Sequence, residues 1–120
     1  MSSSAVKRKL SSSVDGKAIK IINTTTPGTL IHTSVSGTIA GTYDEIWLWA
    51  YNGHISNVDL TIEFGGYDEP DQNITTTLPY KAGLIPIVPG FLLQNEKEVT
   101  AFTTVSGVVT LYGFVNSITD

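Results

Sequence analysis

The least ordinary hydrophobic pattern in the chain is the stretch DEIWLWAYNGH, residues 44–54. A half-buried strand alternates apolar and polar side chains, because successive residues point to opposite faces. One face of this predicted strand carries the aliphatic side chains of Ile46, Leu48 and Ala50. The other face carries Trp47, Trp49 and Tyr51. Both faces are apolar, so if the aliphatic side chains face the core, the aromatic side chains need a partner of their own.

The remaining chain from Lys17 onward reads as short strands separated by Pro-, Gly- and Asn-containing turns, without helical periodicity. The predicted strands cover residues 17–22, 29–41, 45–52, 57–64, 73–79, 82–90, 98–105 and 108–118. About eight short strands at near-regular spacing predict an all-β fold, an antiparallel β-sandwich or jelly roll.

Three local patterns refine this fold. The linker NGHIS predicts a hairpin between the strands at 45–52 and 57–64, and the linker SG predicts a second hairpin after 98–105. In 57–64 the alternation sends the four apolar side chains inward and Asp59, Thr61 and Glu63 outward. Pro86 and Pro89 predict that 82–90 is an edge strand or a rim, because proline cannot donate to a sheet ladder.

Residues 1–16 are Ser-rich and basic and show no periodicity, so we expect a flexible arm in front of a single β-sandwich domain at 17–120. Five basic residues against one acidic residue give positions 1–20 a charge of +4, whereas positions 21–120 carry −8, which together make the chain's −4. The acidic body disfavours nucleic acid. The basic arm could contact nucleic acid or an acidic protein surface, and Lys7, Arg8 and Lys9 are its docking candidates.

Composition narrows the classes of protein. The chain has no cysteine, which excludes disulfides and thiolate catalysis, and two histidines without a thiol do not suggest a structural zinc site. No apolar run approaches the ~20 residues that span a bilayer, and the N-terminus lacks the apolar core of a signal peptide, so we expect a soluble product made in the cytoplasm. Only 15% of residues are charged, against roughly 25% in ordinary domains, which fits a surface partly covered by partners.

The residues that could perform catalysis are few. His32 and His54 have no acid and nucleophile at suitable spacing. The acidic loop at 68–71 could be a calcium site, but a solvated loop is the simpler interpretation. Asp59 and Glu63 lie roughly 13 Å apart along one strand, too far for a glycosidase pair. We therefore predict no enzyme activity, no cofactor and no metal.

Three explanations compete for the aromatic side chains. A second sheet or the arm could cover them, another subunit could cover them, or they could stack on sugars as in lectin-like modules. Aromatic residues are enriched in the cores of protein interfaces, and the low charge content favours that explanation. The interface candidates are Trp47, Trp49 and Tyr51, with Pro86 and Pro89 as weaker ones.

A resemblance adds a specific expectation. The segments PGTLIHTSVSGT, YDEIWLWAYNG and VDLTIEFGG, followed by GLIPIVPGFLLQNEKEVTAF and VVTLYGFVNSI, span about residues 27–118. In pattern and composition they resemble small virion proteins of tailed bacteriophages, above all head decoration (cement) proteins.

The resemblance implies a β-sandwich or jelly-roll subunit, usually a homotrimer, on the capsid exterior of the virion. Such proteins clamp neighbouring copies of the major capsid protein and stabilise the head, and an N-terminal arm commonly reaches onto the shell. It implies no membrane and no sequence-specific nucleic acid as partner. Two alternatives remain: a neck or tail-completion protein that forms a ring, and a carbohydrate-binding module for host attachment.

Overall fold

The computed structural model describes residues 4–36 and 41–119. The first three residues of the predicted arm and positions 37–40 of the predicted strand 29–41 lie outside the described residues. Nine strands are present in the described part: β1 (Ser4–Lys9), β2 (Ile19–Lys20), β3 (Thr29–Thr33), β4 (Thr42–Asn52), β5 (Val58–Phe64), β6 (Asn73–Leu78), β7 (Ile85–Leu93), β8 (Glu98–Thr103) and β9 (Val109–Thr119). Each of the eight predicted strands corresponds to one of β2 to β9.

The strands form two antiparallel sheets. Sheet A has the order β1-β9-β4-β7, with the short β2 also paired to β9, and sheet B has the order β3-β8-β5-β6. Aliphatic side chains from both sheets form one buried core, which includes Ile46, Leu48, Leu60, Ile62, Val99, Leu111 and Val115. This arrangement confirms the predicted all-β sandwich.

Both predicted hairpins are wrong. β4 belongs to sheet A and β5 to sheet B, and likewise β8 belongs to sheet B and β9 to sheet A. The crossing sets the apolar faces of successive strands against each other across the core, whereas a hairpin would leave them side by side. Asn52 fixes the first crossing, because its amide donates to the carbonyls of Ser56 and Leu78 while its oxygen accepts from the His54 N–H.

The prediction of a flexible arm at residues 1–16 is wrong from Ser4 onward. Residues 4–9 form β1, an edge strand that pairs with β9 from Lys9↔Phe114 to Ser4↔Thr119. All six side chains are exposed, so the strand is held by backbone pairing that hydrophobic periodicity cannot reveal. Leu10 then enters the core with 1% of its surface exposed, so the N-terminal segment and the body share one core.

β7 lies at the edge of sheet A, as its prolines predict. Pro89 pairs with Trp47 and Pro86 with Trp49, and the register shifts beside both pairs. Gly90 follows at φ 82°, a left-handed conformation that favours glycine. These features bring the edge strand against the indole of Trp47.

Candidate functional site

The aliphatic side chains of β4 form the core, and its aromatic side chains point away from it. Ile46, Leu48 and Ala50 are at most 1% exposed beneath sheet B. Trp47, Trp49 and Tyr51 alternate with them and stand half-buried on the outer surface of sheet A. Sheet B therefore does not cover the aromatic side chains, which removes a second sheet as their partner within the described residues.

β9 contributes two further aromatic residues to the same surface. Phe114 pairs directly with Trp47, and Tyr112, 42% exposed, pairs with Trp49. We call this outer surface of sheet A the aromatic face; its aromatic members are Tyr43, Trp47, Trp49, Tyr51, Tyr112 and Phe114. Tyr112 and Phe114 were not among the predicted site residues, although both lie at outward-facing positions of the alternating segment VVTLYGFVNSI.

Three of these rings form an aromatic cluster: Trp47, Trp49 and Phe114. The ring centroids are 6.3 Å apart for Trp47–Trp49, 6.3 Å for Trp47–Phe114 and 6.1 Å for Trp49–Phe114. The ring planes differ by only 16° to 26°. If the three rings were stacked in one column, the first and third would be about twice as far apart as adjacent rings. The three distances are nearly equal, so the rings instead lie side by side with nearly the same orientation.

The orientation of Trp47 is fixed from two sides. Its indole fills the space above Gly90, where a Cβ would come within 2.7 Å of the ring. Its Nε1–H donates to Glu45 Oε1 at 2.7 Å, and the Asn116 amide donates to the same oxygen at 3.0 Å. These hydrogen bonds, that of Asn116 first and that of Trp47 second, stabilise the carboxylate and lower the pKa of Glu45.

A row of lysines borders the aromatic face along β1 and β2. Cross-strand partners share a face of the sheet, and Lys7, Lys9 and Lys20 pair with the outward-facing Asn116, Phe114 and Thr110. The ammonium of Lys7 lies 4.7 Å from the centre of the Phe114 ring, a cation–π contact. We call Lys7, Lys9 and Lys20 the lysine row.

The structure thus brings together most of the predicted site residues and separates one. Lys7 and Lys9 lie beside the aromatic cluster, and Pro86 and Pro89 border it on the opposite side. Arg8 pairs with the core residue Val115 and therefore points to the other side of sheet A. Lys20 was missed because its place in the row depends on pairing with a strand 90 positions later in the chain.

His32 forms a buried pair with Asp44. The backbone N–H of Ser11 donates to His32 Nδ1 at 2.9 Å, so the ring proton is on Nε2, which donates to Asp44 Oδ2 at 2.7 Å. Ser117 donates its hydroxyl to the other carboxylate oxygen at 2.7 Å. Both ring nitrogens are engaged, so the pair joins the N-terminal segment, β3, β4 and β9 rather than activating a nucleophile.

Glu63 points outward from sheet B, as the alternation predicted, but it is fully buried. Residues 22–28 fold across the sheet at this point. The Glu63 carboxylate accepts hydrogen bonds from Thr26 Oγ1, from the Gly28 N–H at 2.7 Å and from Thr100 Oγ1 at 2.6 Å. Asp59, on the same face, is exposed and accepts from Thr77. Glu63 therefore holds a surface segment in place.

Comparison with family models, with curated proteins and with solved structures returned no match. Within residues 4–36 and 41–119, no three His, Asp or Glu side chains are grouped to hold a metal ion. The described residues also contain no helix long and apolar enough to span a membrane. The class defined by fold and surface is a β-sandwich with an outward-facing aromatic cluster.

Proposed function

We propose that this chain is a structural binding protein that docks through the aromatic face. The observation that carries the proposal is the aromatic cluster on the outside of sheet A, oriented by Gly90 and Glu45 rather than packed into the core. The resemblance to phage head decoration proteins supplies the partner: the major capsid protein on the exterior of a phage head, which the bound protein would stabilise.

The energetics support a docking role. An aromatic side chain has roughly 150–250 Å² of surface, and each of the three rings leaves no more than about a third of it open, so at most about 200 Å² remain to be covered. At ~25 cal/mol per Å², that area contributes at most about 5 kcal/mol before the entropy lost on association. Modest sites of this size become avid when an oligomer presents several copies to a repeating shell.

A carbohydrate-binding module is the second candidate. The side-by-side rings offer a sugar an apolar surface, and polar groups of Glu45 and Asn116 lie at its border. Trp47 and Asn116 both donate to Glu45 Oε1, so Oε2 is left as an acceptor for a sugar hydroxyl beside the rings.

Cosedimentation with empty heads of the phage that encodes the chain tests the proposal. We expect the wild-type protein to bind, Trp49→Ala to lose binding, and Asp59→Ala on the opposite face to bind normally. Light scattering on the free protein distinguishes the expected trimer from a ring of a neck or tail protein. Failure to bind heads, together with Trp49-dependent binding in a glycan screen, would establish the second candidate instead.

A further inference from the structure

The two outer faces of the sandwich carry opposite charge. By register, the strands of sheet A place three cations, the lysine row, on the aromatic face, together with a single carboxylate, Glu45. The outer face of sheet B carries Asp59, Glu63 and Glu98, and its described strands add no lysine or arginine. The aromatic face is therefore basic in a chain whose formal charge is −4.

From this segregation we infer that the partner of the aromatic face is a foreign protein surface with an apolar centre and an acidic border. The apolar centre covers the aromatic cluster, and the border carboxylates pair with the lysine row. The inference rests on the proposed docking function and specifies the chemistry of the surface that docks.

A second copy of this chain does not fit the aromatic face. If two such faces pack about a two-fold axis parallel to the strands, the lysine row of each lies against Pro86, Pro89 and Leu92 of the other. With the axis across the strands, lysines lie against lysines. The acidic face of sheet B offers no flat surface either, because residues 22–28 stand above it and contact Glu63. Contacts between subunits must then use other surfaces.

A linear polyanion also fits poorly. The lysine row lies along one border only, and the opposite border at β7 is apolar, with exposed Leu92 and the two prolines. Nucleic acid or a uronic-acid polymer carries charge along its whole length and would place charges over that apolar border. The rest of the chain is acidic and would repel either polymer.

Calorimetric titration with defined polymers tests the inference: a random glutamate–tyrosine copolymer, polyglutamate, oligo(dT) and alginate. We expect the copolymer to bind most tightly and its affinity to fall as salt is raised. The triple variant Lys7→Gln, Lys9→Gln, Lys20→Gln should bind the copolymer about tenfold more weakly, as three exposed ion pairs of ~0.5 kcal/mol predict.

A matched control has the same net charge: Arg8→Gln, Lys17→Gln, Lys81→Gln, three cations outside the lysine row, of which Arg8 points to the other side of sheet A. It should bind as the wild type does. Equal affinity of the two triple variants, or tighter binding of oligo(dT) or alginate than of the copolymer, would overturn the inference. So would a lower solution mass of Trp49→Ala, which would assign the aromatic face to a contact between subunits.

Cosedimentation with phage heads distinguishes a failure of this inference from a failure of the proposed function. Suppose that Trp49→Ala abolishes head binding while the lysine-row variant binds like its control. Docking through the aromatic face is then supported, and the inferred acidic border of the partner is contradicted. If Trp49→Ala binds heads normally, the proposed use of this face falls as well.

Discussion

The two outer faces of the sandwich differ in how their outward-facing side chains are covered. On sheet B the chain folds back over its own surface: residues 22–28 cover the Glu63 carboxylate and give it two hydrogen-bond donors, and Thr100 of the neighbouring strand gives a third. On sheet A the corresponding positions carry indole and phenyl rings, held side by side but left partly open. One face is covered by its own chain, and the other is left partly open within the described residues.

The difference gives a way to test whether the open face serves binding, as proposed, or stability. Removing a group from the closed face should reduce stability, because its hydrogen-bond partners lose their only compensation. Removing a ring from the open face should cost less stability and more binding. The predictions below test this contrast, beginning with the largest expected effect.

Glu63→Ala should lower the free energy of unfolding by about 3 kcal/mol or more, because it leaves a buried Gly28 N–H and the Thr100 hydroxyl without their acceptor. Urea denaturation measures the loss. Asp59→Ala is the control on the same face, exposed and bonded to one threonine, and should cost less than about 1 kcal/mol. A loss for Glu63→Ala as small as that of the control would contradict the closed-face description.

Gly90→Ala should cost about 2 kcal/mol or more and change the emission of tryptophan, because its Cβ would come within 2.7 Å of the Trp47 ring. Gly83→Ala is the matched control, since Gly83 also has a left-handed φ, 83°, but nothing within 4 Å of its Cβ position. It should cost about 1 kcal/mol and leave the emission unchanged. Equal shifts of the tryptophan emission in the two variants would contradict the packing of the Trp47 indole against Gly90.

Trp49→Ala should lower the free energy of unfolding by about 2 kcal/mol, through lost burial of the indole and lost contact with Trp47 and Phe114. Trp49→Phe keeps a ring in the cluster and should recover most of that loss in the same urea experiment. If Trp49→Ala destabilised the fold as much as Glu63→Ala, the aromatic cluster would be part of the folding core and not an open surface.

The smallest effect concerns pH. Because the pKa of Glu45 is lowered in the folded state, its ionised form adds stability above the ordinary glutamate value of about 4.3, and that contribution is lost as the pH falls through the lowered pKa. The wild type should therefore exceed Glu45→Gln in stability at neutral pH, and the difference should shrink in acid. The chain has two tryptophans, both on the aromatic face, so their emission should follow the same titration and lose it in Glu45→Gln.

Local patterns predicted what depends on neighbours in the chain. Alternation located β2 to β9, and the prolines placed β7 at an edge. The alternation pattern could not assign strands to sheets, because the apolar face of a strand packs equally well beside another strand of the same sheet or across the core from a strand of the other sheet. The burial of Glu63 depends on Thr26, 37 positions earlier, and His32 is bonded to Asp44 and Ser11 by contacts that no local motif announces.

The site was predicted to the extent that it lies on one strand. Trp47, Trp49 and Tyr51 were identified from β4 alone, whereas Phe114, Tyr112 and Lys20 join them only through the register of β9. The N-terminal segment was misjudged for a related reason. β1 contributes no buried side chain, so its order comes from backbone pairing with the far end of the chain.

The position of β9 has a consequence for how the protein is made. This strand lies inside sheet A, between β4 and the pair β1 and β2, yet it follows every other strand along the chain. A ribosome therefore releases β3, β5, β6 and β8 first, so sheet B can pair while β1 and β2 still wait for their partner. Phe114 and the ladder that positions Lys7, Lys9 and Lys20 are therefore made after all the other described strands. A chain that terminates before β9 would lack Phe114 and the strand on which β1 and β2 pair, so the aromatic face cannot form until β9 has been made.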